Sequence, residues 1–153
     1  MPDCPQTSEN LVRAVVDTNV PVSGLLWGGP PNQILKWARD GVLEILNCEE
    51  ITNELRNIIR YKRFSQRLSG LSISLNEVIA YFMNLVTFVP TPEFIPEAIH
   101  EDLFDNIFLA LASESKAHLI ISGDKHLLDL EAYDDIQIVT PSEACRIIEA
   151  LLE

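Results

Sequence analysis

Apolar and polar positions alternate along this chain in short blocks whose period switches between that of a strand and that of a helix. Residues 14–16 are an apolar run rich in β-branched residues, suited to a buried strand, and they end abruptly at Asp17. Residues 20–27 are apolar around Gly24, and Gly28-Gly29-Pro30-Pro31 then breaks the chain. A short helix is predicted over 32–39, with Ile34, Leu35, Trp37 and Ala38 as apolar positions and Gly41 just past its end. Residues 42–46 read as a second strand, after which Asn47 and Glu50 have capping-box spacing. The next helix places Ile51, Glu54, Leu55 and Ile58 on one face, so a carboxylate shares a stripe with three aliphatics. Ser74 and Glu77 form a second capping box, opening a helix striped by Val78, Ile79, Phe82 and Leu85. A third strand over 87–89 stops at Pro90-Thr91-Pro92. Asp102-Leu103-Phe104-Asp105-Asn106 then introduces a nearly all-apolar helix over 107–112, with Asp105, Phe108, Leu109 and Ala112 on one face. Residues 118–122 read as a buried strand followed by Gly123-Asp124, a repeat of the strand-then-acid pattern, and a helix over 125–130. The last strand, 136–139, precedes Thr140-Pro141-Ser142-Glu143, a capping box with proline at the first helical position, which opens a closing amphipathic helix.

This alternation predicts an α/β fold: a mostly parallel sheet with helices on both faces. No repeat or linker divides the chain, so residues 1–12 are expected to be a flexible leader and 13–153 a single domain. At 153 residues such a domain buries roughly two-thirds of its unfolded surface. A hydrophobic content of 47% with balanced usage indicates a soluble globular protein. The leader lacks the basic start and apolar core of a signal peptide, and no apolar run approaches the ~20 residues that cross a bilayer. Cys4, Cys48 and Cys145 are odd in number and lack metal-binding spacing, which fits reduced thiols in a cytoplasmic protein.

Charge changes the picture in two ways. A formal net charge of −12 opposes unaided binding to a polyanion, and fits acids gathered for a divalent cation or a surface meeting a basic partner. Yet Arg56, Arg60, Lys62, Arg63 and Arg67, with Tyr61 and Phe64 between them, place five of the eleven cations within twelve residues. A grip on a phosphate backbone explains that run, and so does an exposed helix face balancing nearby acids.

Four acids invite a common explanation. Asp17 and Asp124 end strands, Asp105 starts a helix, and Glu54 lies on a core-facing stripe. Each also has a local explanation: a turn former, a helix cap, or a rim position that reaches water. In an open parallel sheet, however, ligands bind at the carboxyl ends of the strands, and one crevice there accounts for all four. Clustered carboxylates repel unless a divalent ion neutralises them, and all-oxygen ligation selects Mg²⁺ or Mn²⁺. One or two such ions would clamp a phosphodiester and activate water without a histidine base. His100, His118 and His126 are scattered and expected at the surface. An aspartyl-phosphate enzyme with Asp17 as nucleophile would want a second Asp where Asn19 stands, and no G-x-G-x-x-G follows the first strand to mark a dinucleotide site.

Val15-Val16-Asp17-Thr18-Asn19-Val20 and Ser23-Gly24-Leu25-Leu26-Trp27-Gly28-Gly29-Pro30-Pro31 resemble the opening of PIN-domain proteins, in particular the branch described as toxins of toxin–antitoxin pairs (VapC-like ribonucleases). Glu54-Leu55, Arg60-Tyr61-Lys62-Arg63-Phe64, Asp105-Asn106, Ile121-Ser122-Gly123-Asp124-Lys125 and Thr140-Pro141-Ser142-Glu143 follow in the same order. The resemblance spans about residues 13–150 and implies a three-layer α/β/α domain with a central, mostly parallel sheet of four to five strands. It implies Mg²⁺- or Mn²⁺-dependent cleavage of single-stranded or structured RNA. Asp17, Glu54, Asp105 and Asp124 would be the catalytic metal-binding acids, with Asn19 and Ser122 as polar support. A small antitoxin, a homodimer or higher homo-oligomer, and no membrane association are implied with it. The family often has Asp-Pro-Asp-Asp-Asn where this chain has Asp102-Leu103-Phe104-Asp105-Asn106, and often an Asp after Gly-Asp-Lys where His126 stands. A catalytically weak module that binds RNA or a protein partner is the other reading.

Overall fold

The computed structural model describes residues 12–100 and 103–153; most of the predicted leader, with Cys4, lies outside the described residues. Among the described residues, six strands form one sheet: β1 (Val12–Val16), β2 (Leu43–Asn47), β3 (Val86–Phe88), β4 (Leu119–Ile121), β5 (Ala132–Tyr133) and β6 (Ile136–Val139), in the order β3-β2-β1-β4-β6-β5. All neighbours run parallel except β5, which pairs antiparallel with β6. The sheet thus exceeds the expected four to five strands. The extra one is the two-residue edge strand β5, which ends at a turn where Asp134 and Asp135 both take positive φ.

Among the described residues, eight α-helices surround the sheet: α1 (Asn19–Trp27), α2 (Pro30–Arg39), α3 (Glu49–Ile58), α4 (Lys62–Gly70), α5 (Leu75–Leu85), α6 (Asn106–Glu114), α7 (Lys125–Leu128) and α8 (Pro141–Leu152). A 3₁₀ turn, Leu103–Asp105, leads into α6. The period-two alternation of β1 shows why three layers form. Ala14 and Val16 join a core with Ile34, Trp37, Ala144 and Ile148, contributed by α2 and α8. Val15 joins the opposite core with Ile107, Phe108 and Leu111 of α6. A third cluster, with Leu26, Leu55, Ile58, Phe64, Leu68, Val78 and Phe82, binds α1, α3, α4 and α5 into a cap beside the sheet.

Two predicted capping boxes are present. Ser74 Oγ accepts from the Glu77 N–H at 3.1 Å, and Thr140 Oγ1 from the Glu143 N–H at 3.1 Å. The third, Asn47 with Glu50, is not. Asn47 remains in β2, where its carbonyl accepts from the Val89 N–H at 2.9 Å and its buried amide donates to Thr52 Oγ1 at 2.6 Å. Cys48 takes the N-cap position instead, without a side-chain cap. Glu50 accepts from Thr91 Oγ1 at 2.6 Å, outside the helix.

Among the described residues, no helix is long and apolar enough to cross a membrane. Cys48 is buried, Cys145 half-buried, and both are free thiols.

Candidate active site

The strand order reverses at β1: β2 and β3 extend the sheet to one side, and β4, β6 and β5 to the other. At such a reversal the connections leave the carboxyl ends of adjacent strands in opposite directions, and a crevice opens between them. Here the crevice lies beyond the paired ends Val16 and Ile121. The next residues are Asp17, whose N–H donates to the Ile121 carbonyl at 2.9 Å, and Ser122, whose N–H donates to the Val139 carbonyl at 2.9 Å.

The serine hydroxyl links two of the candidate acids. Ser122 Oγ donates to Asp17 Oδ2 at 2.7 Å and accepts from the Asp124 N–H at 2.9 Å. Asp17 Oδ1 accepts from the Asn19 N–H at 3.3 Å and the Thr18 hydroxyl at 3.5 Å. Asp17 and Ser122 are both buried. Burial raises the Asp17 carboxyl above its ordinary range and the charge of Asp124 adds to the rise, while the bonds from Ser122, Asn19 and Thr18 oppose it. Asp124 also caps α7, its Oδ1 accepting from the His126 N–H at 2.8 Å. The helix-cap explanation of Asp124 and its place at the crevice are therefore compatible.

A cleft of about 500 Å³ opens over these groups. Asp17, Asn19, Gly123 and Asp124 line its floor, with Val20 and Ser23 of α1, Pro31 of α2 and Pro141 of α8 around it and Tyr61, Arg63 and Phe64 from the cap. Glu54 is half-buried on α3, beside the buried Ile51, Leu55 and Ile58, and Asp105 is buried where the 3₁₀ turn meets α6. Neither is among the residues lining the cleft. Among the described residues, no group of three or more His, Cys, Asp or Glu side chains is placed to hold a metal ion. The cleft itself presents a pair, Asp17 and Asp124.

That pair fits a hard divalent cation. Its donors are oxygen only, and a carboxylate pair of which one member is raised by burial and its neighbour's charge is stabilised in its ionised form by a cation. Of the predicted basic residues, Arg63 lines the cleft. Arg67 donates from Nε to the Leu26 carbonyl at 3.1 Å, while Arg56, Arg60 and Lys62 are exposed outside the lining. Tyr61 and Phe64, interleaved in the basic run, stand on the walls with Arg63, and Ser23, Pro31 and Pro141 join them; the prolines at the starts of α2 and α8 are the one sequence signal for the last two. Of the histidines, His118 is exposed and its Nδ1 accepts from the Arg13 N–H at 2.9 Å.

A PIN-domain family model matches residues 13–126, a span that includes all four candidate acids. A chain of the crystal structure of VapBC2 from Rickettsia felis, bound to a DNA fragment from their promoter, is similar in fold, with a TM-score of 0.52 at 11% identity. The match covers 84% of this chain and 98% of that one. No curated protein matches by sequence.

Proposed function

The chain belongs to the PIN-domain family, whose domains are generally nucleases that use divalent metals, and on that premise we propose that it is a Mg²⁺- or Mn²⁺-dependent endoribonuclease acting on single-stranded RNA. One observation carries the reading: Asp17 and Asp124, 107 positions apart, share Ser122 at the sheet's reversal point and floor an open cleft walled by Arg63.

In this reading Asp17 and Asp124 hold the cation, and the bound ion would supply Lewis acidity that lowers the pKa of water and offsets charge on the phosphodiester. Ser122 keeps the Asp17 carboxylate aimed into the cleft and ties the Gly123-Asp124 turn to it. Asn19 contributes its backbone N–H to Asp17 and lines the cleft floor beside it. Arg63 supplies the positive charge that this acidic chain needs to accept a phosphate. Glu54 and Asp105, which stand outside the cleft lining, complete the catalytic set in the proposal only as the family resemblance implies.

The Rickettsia felis VapBC2 structure supports an antitoxin partner; in our reading a small antitoxin occupies the cleft of this chain as a toxin, and the chain works as a homodimer or higher oligomer in the cytoplasm. A second reading, a module that binds RNA or protein without cutting, is favoured by the absence of a three-acid group among the described residues. Incubation with total RNA and Mn²⁺, with and without chelator, separates the two. Metal-dependent cleavage abolished in Asp17→Asn supports the nuclease; cleavage unchanged in that variant overturns it.

A further inference from the structure

The cap carries an aromatic and cationic stack of which the cleft chemistry uses Arg63 alone. Trp27 ends α1 and is 49% exposed, a costly placement for the largest apolar side chain. Gly28 and Gly29 follow with φ of 78° and 76° and ψ of −153° and −160°, an extended backbone at positive φ that only glycine adopts readily and that ends the helix at the indole. Phe64 meets it at 5.8 Å between ring centroids. The Arg63 and Arg67 guanidinium groups lie 5.8 and 6.0 Å from the indole centroid, and Arg63 sits 4.4 Å over Phe64. Arg67 is anchored by its bond to the Leu26 carbonyl, so one cation is held beside the ring before any ligand arrives. Arg63 and Phe64 also line the acidic cleft, which makes the stack continuous with it. Tyr61, 56% exposed, adds a second accessible ring on the cleft wall.

We propose that Trp27, flanked by Arg63 and Arg67, is a stacking platform for an unpaired base of the RNA strand whose phosphate enters the cleft. This rests on the nuclease reading and deepens it: it makes substrate choice a matter of strand unpairing near the cut. An exposed indole beside two guanidinium groups matches what a flipped base and its phosphate offer, a π-face together with negative charge. A paired base has no free face, so duplexes engage only the cations.

The test is equilibrium binding in chelator, where no cleavage intervenes, of three synthetic RNAs of equal length: a single strand, a duplex, and a single strand with abasic sites. Tryptophan emission reports the contact, because Trp37 is only 8% exposed and Trp27 carries the accessible indole. The single strand should quench emission and bind on the order of tenfold more tightly than the other two. Trp27→Ala should lose that advantage while leaving duplex and abasic affinities unchanged, and Trp27→Phe should keep most of it. Equal loss for all three RNAs in Trp27→Ala would mean that the ring merely holds the arginines, and would overturn the platform. So would unchanged single-strand affinity in Trp27→Ala, or no quenching in the wild type. The two proposals fail separately. Base-dependent binding without Mn²⁺-dependent cleavage removes the nuclease alone; cleavage with base-blind binding removes the platform alone.

Discussion

Gly24, next to Ser23 of the cleft wall, is where α1 and α2 approach too closely for a side chain. A Cβ placed there would lie 2.6 Å from both the carbonyl carbon and oxygen of Pro31 and 2.9 Å from the Asn32 nitrogen. All three are backbone atoms, so no rotamer relieves the clash, and α1 and α2 must separate by roughly 1 Å to restore ordinary contact. Overpacking of this kind costs about 1–3 kcal/mol. Separation also strains the 3.0 Å bond from Asn32 Nδ2 to the Gly24 carbonyl, worth about 1 kcal/mol. The better helix propensity of alanine returns a similar amount. Gly24→Ala should therefore destabilise by about 2 kcal/mol and lower the melting temperature by roughly 4–8 °C for a chain this size. Gly123→Ala is the control: its Cβ would meet nothing within 4 Å, and it should melt within about 1 °C of wild type although it adjoins Asp124. Melting followed by circular dichroism reads both. A Gly24→Ala protein as stable as wild type would refute the close approach of the helices, and with it the fixed position of Ser23 and Pro31 on the cleft wall.

Three further outcomes follow from the geometry. Asn106 is buried, accepting from the Ile99 N–H at 2.9 Å and donating to the Ile99 and Leu103 carbonyls at 2.8 and 3.1 Å; Asn106→Ala should cost about 3 kcal/mol in urea unfolding, and a loss under 1 kcal/mol would contradict the clamp. The backbone and hydroxyl of Thr140 hold the Glu143 carboxyl below its ordinary 4.5, so its contribution is present above that value and lost as pH falls through the lower folded pKa. Glu143→Gln should accordingly melt below wild type at pH 6, with the gap closing as the medium is acidified below 4.5; a pH-independent gap would exclude a charge effect. Arg60→Ala combined with Lys62→Ala should weaken RNA binding and reduce its salt dependence by about one unit of slope per lost phosphate contact, leaving Mn²⁺ affinity unchanged; an unaltered salt slope would return both cations to an exposed helix face.

The sequence made the sheet and half of the acidic site readable because those features are local. A β-branched run ending in Asp17, and another ending in Ser122-Gly123-Asp124, announce strands that stop at one edge, and parallel pairing of β1 with β4 does the rest. Thr140-Pro141-Ser142-Glu143 and Ser74 with Glu77 announce helix starts because cap and box residue lie within one turn. The same spacing misled at Asn47, where a strand hydrogen bond and Thr52 took the groups a cap would need. Helix α1 gives no periodic signal: Val20, Pro21, Val22, Gly24 and Leu26 are all buried, because α2 and α4 enclose it rather than leaving a wet face. The Trp27 stack was invisible because its members come from α1 and α4, and only tertiary packing brings them together. The stripe of Ile51, Leu55 and Ile58 is buried as its spacing implies, while Glu54 stands half-exposed beside it.

Direct titration of Mn²⁺ into the RNA-free protein, followed by calorimetry, bears on the central claim with fewest intermediaries. Asp17 and Asp124 acting as a joint cation site require saturable binding in the wild type that is lost when either is changed to asparagine, with both variants folded. Saturable binding that survives in both variants, or none in the wild type, would contradict the account.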